Sequence, residues 1–282
     1  MSTIHENLHE AERVLADAGV AEAKREAASL LAFALRKDKT FLIAHPEYEL
    51  NNGEREHYSK VISRRAAREP FQYITGVQEF YGLEFEVTPD VLIPRSETEM
   101  VVEAAVNVLS TLAQLTFCEV GIGSGCIAVS VLHRVKNVRA VGLDISPTAL
   151  AVARRNAEKN SVADRLDLRR SDVFAGLNDE RFDLIASNPP YVPIHDIGGL
   201  QEEVRDYEPQ TALTDGGDGL SIVRRIVVDA PRFLLPAGTL LMEIGFSQYA
   251  KVAEMFEPNI WKNVEFLPDL QGIPRMVEAR LK

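Results

Sequence analysis

From about residue 96 onward the sequence alternates short apolar runs with helical stretches, and this alternation limits the fold more than any other feature. Seven runs read as strands: Thr116–Val120, Val138–Leu143, Leu166–Arg170, Phe182–Ser187, Thr239–Ile244, Asn263–Leu267 and Ile273–Leu281. Helices fall between most of them. Units of this kind pack as a mostly parallel sheet with helices on both faces, a Rossmann-like α/β architecture. Ligands on such sheets bind beyond the carboxyl ends of the strands, so the loops after strands are where chemistry is to be sought.

Residues 1–70 have a different texture. Leu8, Ala11, Val14, Leu15 and Ala18 recur at helical spacing, with Gly19 placed to end the helix. Ala23, Ala27, Leu30, Leu31, Ala34 and Leu35 form a second stripe, a third piece surrounds Phe41–Ile43, and a fourth runs from Gly53 to Arg68. A small helical domain is expected there. After Pro70, Gln78–Val87 alternates apolar and polar residues around Tyr81-Gly82, which predicts a β-hairpin. The expected organisation is therefore 1–70 helical, 71–95 linking hairpin and 96–282 α/β.

Composition excludes several classes. Of 282 residues, 46% are apolar and 26% charged, as in a globular chain. Lys plus Arg is 31 and Asp plus Glu 42, so the net charge is 31 − 42 = −11. Residues 1–85 carry 11 basic and 14 acidic side chains and the remainder 20 and 28, so neither part offers the electropositive groove that duplex DNA requires. Cys118 and Cys126 form no CxxC, and His5 and His9, four apart, have no third ligand near them; neither a disulfide framework nor a metal site is expected. No run of about 18 apolar residues occurs. The N-terminus lacks a basic-then-apolar leader, so the expected setting is the cytoplasm; the sequence does not give the oligomeric state, for which a monomer is the default.

After the first strand comes Glu119-Val120-Gly121-Ile122-Gly123-Ser124-Gly125-Cys126. Cys126 stands where a dinucleotide fingerprint has its third glycine, so that fingerprint fits poorly. Glycines here permit a tight turn and a close approach of backbone to ligand. The Glu119 carboxylate suits a cationic group better than a pyrophosphate. Asp144, at the end of the second strand, can accept from ribose hydroxyls. Asp172, after the third, can accept from an adenine amino group while Val173 offers a backbone N–H to the ring. These loops suit S-adenosylmethionine; the plain alternative is a glycine turn with solvated carboxylates.

The fourth strand runs into Asn188-Pro189-Pro190-Tyr191. Two prolines make a stiff turn whose carbonyls need outside donors. The Asn188 side-chain oxygen and the Pro189 carbonyl can accept both protons of one planar NH₂ group, with Tyr191 flat against its π face. An amide nitrogen is a poor nucleophile, because its lone pair is delocalised into the carbonyl. Two acceptors orient it and stabilise the positive charge that develops during attack.

With these motifs in view, the chain resembles the class I S-adenosylmethionine-dependent methyltransferases and, within them, the PrmC/HemK family. The resemblance covers nearly the whole chain. It includes the helical N-terminal part, Phe71–Gly76, Ile93–Glu99, the glycine loop, Asn188–Tyr191, Asp215–Leu220, and Asp269-Leu270 with Arg275. It implies methylation of the glutamine side-chain nitrogen (N5) in the Gly-Gly-Gln loop of class 1 peptide chain release factors. The implied cofactor contacts are Gly121, Ile122, Gly123, Ser124, Gly125, Asp144, Val173 and Asn188, and Asn188, Pro189, Pro190 and Tyr191 would hold the glutamine. Two departures stand out: Glu119 where the family usually has Asp, and Ser96 in place of a usual Pro. Asn-Pro-Pro-Tyr is shared with adenine-methylating enzymes, so the alternatives are a ribosomal-protein glutamine methyltransferase and an adenine-N6 nucleic-acid methyltransferase. Lys60, Arg64, Arg65 and Arg68 share one helical side, either as a docking patch for an acidic partner or as a solvated face paired to Glu56 and Glu69.

Overall fold

A computed structural model describes residues 2–110 and 115–282. Met1, part of the N-terminal segment read above, and residues 111–114 lie outside the described residues.

The N-terminal helices are α1 (Ile4–Asp17), α2 (Ala23–Leu35), α3 (Lys39–Ala44), α4 (Asn52–Ala66) and α5 (Phe71–Thr75). Helices α1 and α4 each begin with a capping box, Thr3 with Glu6 and Asn51 with Glu54, which satisfies N–H groups that a first turn leaves unpaired. Their apolar stripes meet in a core holding Ile4, Leu15, Leu30, Leu31 and Val61.

A two-stranded antiparallel hairpin follows, β1 (Val77–Phe80) and β2 (Leu83–Glu86), with Phe80 opposite Leu83. Tyr81 and Gly82 both have positive φ (51° and 73°), as a tight hairpin turn requires. The remaining elements are α6 (Glu99–Leu109), β3 (Thr116–Val120), α7 (Cys126–Arg134), β4 (Arg139–Asp144), α8 (Pro147–Lys159), β5 (Leu166–Arg170), β6 (Phe182–Ser187), α9 (Glu202–Tyr207), α10 (Gln210–Leu213), α11 (Ser221–Phe233), β7 (Leu234–Glu243), α12 (Tyr249–Ala253), β8 (Trp261–Pro268) and β9 (Pro274–Leu281).

Strands β3 to β9 form one seven-stranded sheet in the order β5-β4-β3-β6-β7-β9-β8, in which β9 alone runs opposite to the direction of the other six. Helices α6 and α7 cover one face with Val102, Ala105, Ile127 and Val131; α11 covers the other with Val223, Ile226 and Ala230. The strand order reverses beside β3, which opens a crevice at the carboxyl ends of β3, β4 and β6. Strand β7 begins at Leu234, five residues before the predicted Thr239. Pro236 and Gly238 read as breakers in the sequence, but here they lie in an irregular stretch where the register jumps between Phe182 and Leu184.

The chain divides into two compact units. One holds the N-terminal helices through Gly76 together with Gln201–Tyr207; the other holds Val77–Leu200 and Glu208–Lys282. Helix α5, which the sequence reading gives to the linker, thus belongs to the helical unit, and the hairpin to the larger one. Within the helical unit the arginines are neutralised. Arg64 pairs with Glu69, buried Arg65 with Glu26 and Glu203, and Arg68 with Glu202 and Glu203. The three arginines of the patch are therefore not free cations, because their charges are spent on acidic partners drawn from three parts of the chain, whereas exposed Lys60 is in none of these pairs.

Candidate active site

The glycine loop is held from below by β4. The N–H groups of Gly121 and Ile122 both donate to the Leu143 carbonyl, at 2.8 and 2.9 Å. Gly121, Gly123 and Gly125 all have positive φ, which side chains rarely adopt, so this tight bend requires glycine. Asp144 closes it: Oδ2 accepts from the Gly123 N–H and Oδ1 from the Ser146 N–H, each at 2.9 Å. Glu119 is 1% exposed, and its Oε2 accepts from the Ala128 N–H in the first turn of α7 at 2.8 Å. Burial pushes the Glu119 carboxyl well above the usual carboxylate range, against the pull of that N–H. Asp144 is raised in the same way, against the Ser146 and Gly123 donors.

Fully buried Asn156 fixes the loop from the side. Its Nδ2 donates to the carbonyls of Ser124 and Glu86, both at 2.9 Å, and its Oδ1 accepts from the Glu86 N–H at 2.7 Å. One carboxamide thus ties the end of the hairpin to the glycine bend.

These elements enclose a cavity of about 360 Å³, within the size range of small-molecule sites. It is lined by Glu119, Gly121, Ile122, Gly123, Ser124, Asp144, Asp172, Val173, Asn188 and Pro190. Val173 holds a φ of 51°, a strained value for a β-branched residue, and Ser171 Oγ donates to its carbonyl at 2.7 Å. Asp172 pairs with Arg225 of α11 at 2.8 Å. Gly125, Pro189 and Tyr191, also named from the sequence, do not line this cavity.

Tyr191 is turned instead into a buried hydrogen-bonded chain. Ser187 Oγ donates to the Val120 carbonyl at 2.7 Å, holding the end of β6 to the end of β3. Just beyond, Asn188 Nδ2 donates to Thr98 Oγ1 at 3.0 Å, Thr98 Oγ1 donates to Glu243 Oε2 at 2.7 Å, and the Tyr191 hydroxyl donates to Glu243 Oε1 at 2.9 Å. Burial raises the Glu243 carboxyl, opposed by those two hydroxyls, and burial together with Glu243 raises the Tyr191 phenol. The Tyr191 backbone is clamped too. Gln248 Nε2 donates to its carbonyl at 2.8 Å, and a Cβ on Gly219 (φ +75°) would come within 2.1 Å of that oxygen.

Sequence reasoning assigned no role to Thr98, Glu243, Gln248, Arg95 or Glu208. Arg95 pairs with buried Glu208, whose other oxygen accepts from the Ile93 N–H at 3.2 Å, so the segments flanking the cavity are joined. Asp215 Oδ1 accepts from Gly217 and Gly219 and Oδ2 from Ser221; burial alone would raise its pKa, but these N–H groups hold it below the usual range. Among the described residues no group of His, Cys, Asp or Glu is arranged to hold a metal, and no helix is long and apolar enough to cross a membrane.

The fold is shared with solved methyltransferases. A methyltransferase from Pyrococcus furiosus superposes with a TM-score of 0.52 at 17% identity, covering 80% of this chain and 98% of that one. The hMettl16 catalytic domain does so at 0.58 and 17% identity, covering 79% and 81%. Residues 98–206 match the family described as methyltransferase small domain, and residues 6–76 the PrmC N-terminal domain. Fold and site together define a class I methyltransferase. A release factor glutamine methyltransferase of Geobacter sulfurreducens is 43% identical over 95% of this chain and 93% of its own length, and one of Cereibacter sphaeroides 44% identical over 95% and 94%. The chain belongs to the release factor glutamine methyltransferase family.

Proposed function

We propose that this protein transfers a methyl group from S-adenosylmethionine to the side-chain nitrogen (N5) of the glutamine in the Gly-Gly-Gln motif of class 1 peptide chain release factors. The observation that carries this reading is the placement of Asn188. It lies where β6 ends, beside the glycine loop, and its Oδ1 accepts no hydrogen bond among the described residues.

The cavity suits the cofactor. Carboxylates follow or close three adjacent strands: Glu119 for a cationic amino group, Asp144 for ribose hydroxyls and Asp172 for an adenine amino group. The Val173 N–H, which has no acceptor among the described residues, would meet the adenine ring. Gly121, Ile122, Gly123 and Ser124 let the backbone come close, and Gly125 starts α7 behind them. When bound, S-adenosylmethionine supplies an electrophilic methyl group. The protein's part is orientation: Asn188 Oδ1 and the Pro189 carbonyl accept the two protons of the glutamine NH₂, while Pro190 and Tyr191 confine its plane. The acceptors favour the charge that would develop on nitrogen as the C–S bond breaks to a neutral thioether, and the alkylated nitrogen, now acidic, would release one of its two protons to solvent, so no strong general base is needed.

Incubation with labelled cofactor and a release factor, a ribosomal protein or DNA, followed by mass-spectrometric mapping, tests the reading. Label on the release-factor glutamine nitrogen is the expected result. Label on adenine or on a ribosomal protein alone would replace it. The net charge of −11 weighs against duplex nucleic acid.

A further inference from the structure

Buried carboxylates cost stability unless something repays their desolvation, and Glu243 has no ion-pair partner among the described residues. It is 4% exposed and sits in the last position of β7. Ser187 pairs in register with Met242, so the next residues along the two parallel chains, Asn188 and Glu243, lie side by side. Thr98 bridges them from the N-cap position of α6. A threonine there commonly accepts from an N–H of the first turn. Thr98 makes no such bond, and its hydroxyl serves Asn188 and Glu243 instead.

We propose that Thr98 and Glu243 are positioning residues that fix which edge of the Asn188 carboxamide faces the acceptor nitrogen. This rests on the methyl-transfer reading above. The argument is one of proton direction. A hydroxyl has one proton to give. Thr98 gives its proton to Glu243, so its oxygen can only accept from the third partner, and Asn188 must present Nδ2. Its Oδ1 is thereby turned the other way, the orientation in which it can accept from the substrate amide. A flipped Asn188 would set two acceptors against each other at 3.0 Å or strip Glu243 of a donor. The other Glu243 oxygen takes the Tyr191 hydroxyl, so one carboxylate sets both the asparagine and the tyrosine of the same motif.

Glu243→Gln keeps the shape but makes one side of the group a donor, so one of the two contacts must invert. Thr98→Val keeps the volume and removes the relay; Thr98→Ser keeps the relay. The expected result is a fall in kcat of about 10²-fold for Glu243→Gln and Thr98→Val, the scale of losing an aligned transition-state contact. The cofactor dissociation constant should stay close to the parent's, and Thr98→Ser should recover most of the rate. In the Asn188→Ala background, Thr98→Val should cost nothing more. Parental kcat in Glu243→Gln and Thr98→Val, or a Thr98→Ser as slow as Thr98→Val, would overturn the proposal. A readout without turnover separates it from the substrate assignment. The side-chain NH₂ signals of Asn188 in ¹⁵N spectra, assigned by their loss in Asn188→Ala, should show one exchange-protected proton that Thr98→Ser keeps and Thr98→Val loses. Protection unchanged in Thr98→Val would sink the positioning role even if release factor is methylated. A parent that methylates no release factor but shows this pattern would sink the substrate assignment alone.

Discussion

Asn188 and Glu119 show how differently two polar side chains of one crevice are used. Asn188 offers an acceptor to the substrate, so Asn188→Ala should lower kcat toward release factor by roughly 10²- to 10³-fold, the usual cost of removing a group aimed at developing charge. Cofactor affinity, measured by calorimetry, should fall far less. Retention of most of the turnover would remove Asn188 from the mechanism. Glu119 instead is a buried carboxyl whose pKa the fold raises. A group raised on folding stabilises fully below its unfolded pKa, and that contribution is lost as pH climbs through the folded value. Glu119→Gln keeps an acceptor for the Ala128 N–H and abolishes the titration. Its melting temperature should therefore exceed the parent's at about pH 8, with the gap closing toward about pH 4, while cofactor binding weakens. A gap that does not change with pH would show that the charge of Glu119 is not what the fold works against.

At the scale of elements, the glycine bend owes its shape to contacts from outside the loop. Asn156→Ala leaves the Glu86 N–H and carbonyl and the Ser124 carbonyl without their partner. A loss of about 2–4 kcal/mol is expected from urea denaturation, together with weaker cofactor binding as the bend loosens. Unaltered binding would mean that the bend holds itself. The strands themselves were largely legible: the limits read for β3, β5 and β6 coincide with those in the structure, since β3 and β6 are short, largely apolar runs closed by Gly or Pro, and β5 places Leu166 and Leu168 at strand spacing before a polar break. The sequence could not announce β7 before Gly238, because a proline and a glycine within a bulge look like a terminator. Thr98 and Glu243 stand 145 residues apart, and Asn156 and Glu86 stand 70 apart. Such partners share no periodicity and no motif, so only the folded chain reveals them.

At the scale of the whole molecule, the path of the chain matters as much as its content. Arg65, in α4, meets Glu26 from α2 and Glu203 from α9, the latter 138 residues away. Arg65→Ala leaves two acidic side chains facing a hole, and a loss of about 3–5 kcal/mol is expected, read as an earlier urea transition. Arg65→Lys should rescue only part of it, because an ammonium cannot span both carboxylates. A variant as stable as the parent would mean that Glu203 is held by Arg68 alone. The helical unit is thus discontinuous in sequence: its last turn is written more than a hundred residues after the others, between two stretches of the larger unit. A chimaera that exchanges only the leading 76 residues with a relative would pair one protein's arginines with another's acids, so any graft that keeps the module intact must carry Gln201–Tyr207 along with it.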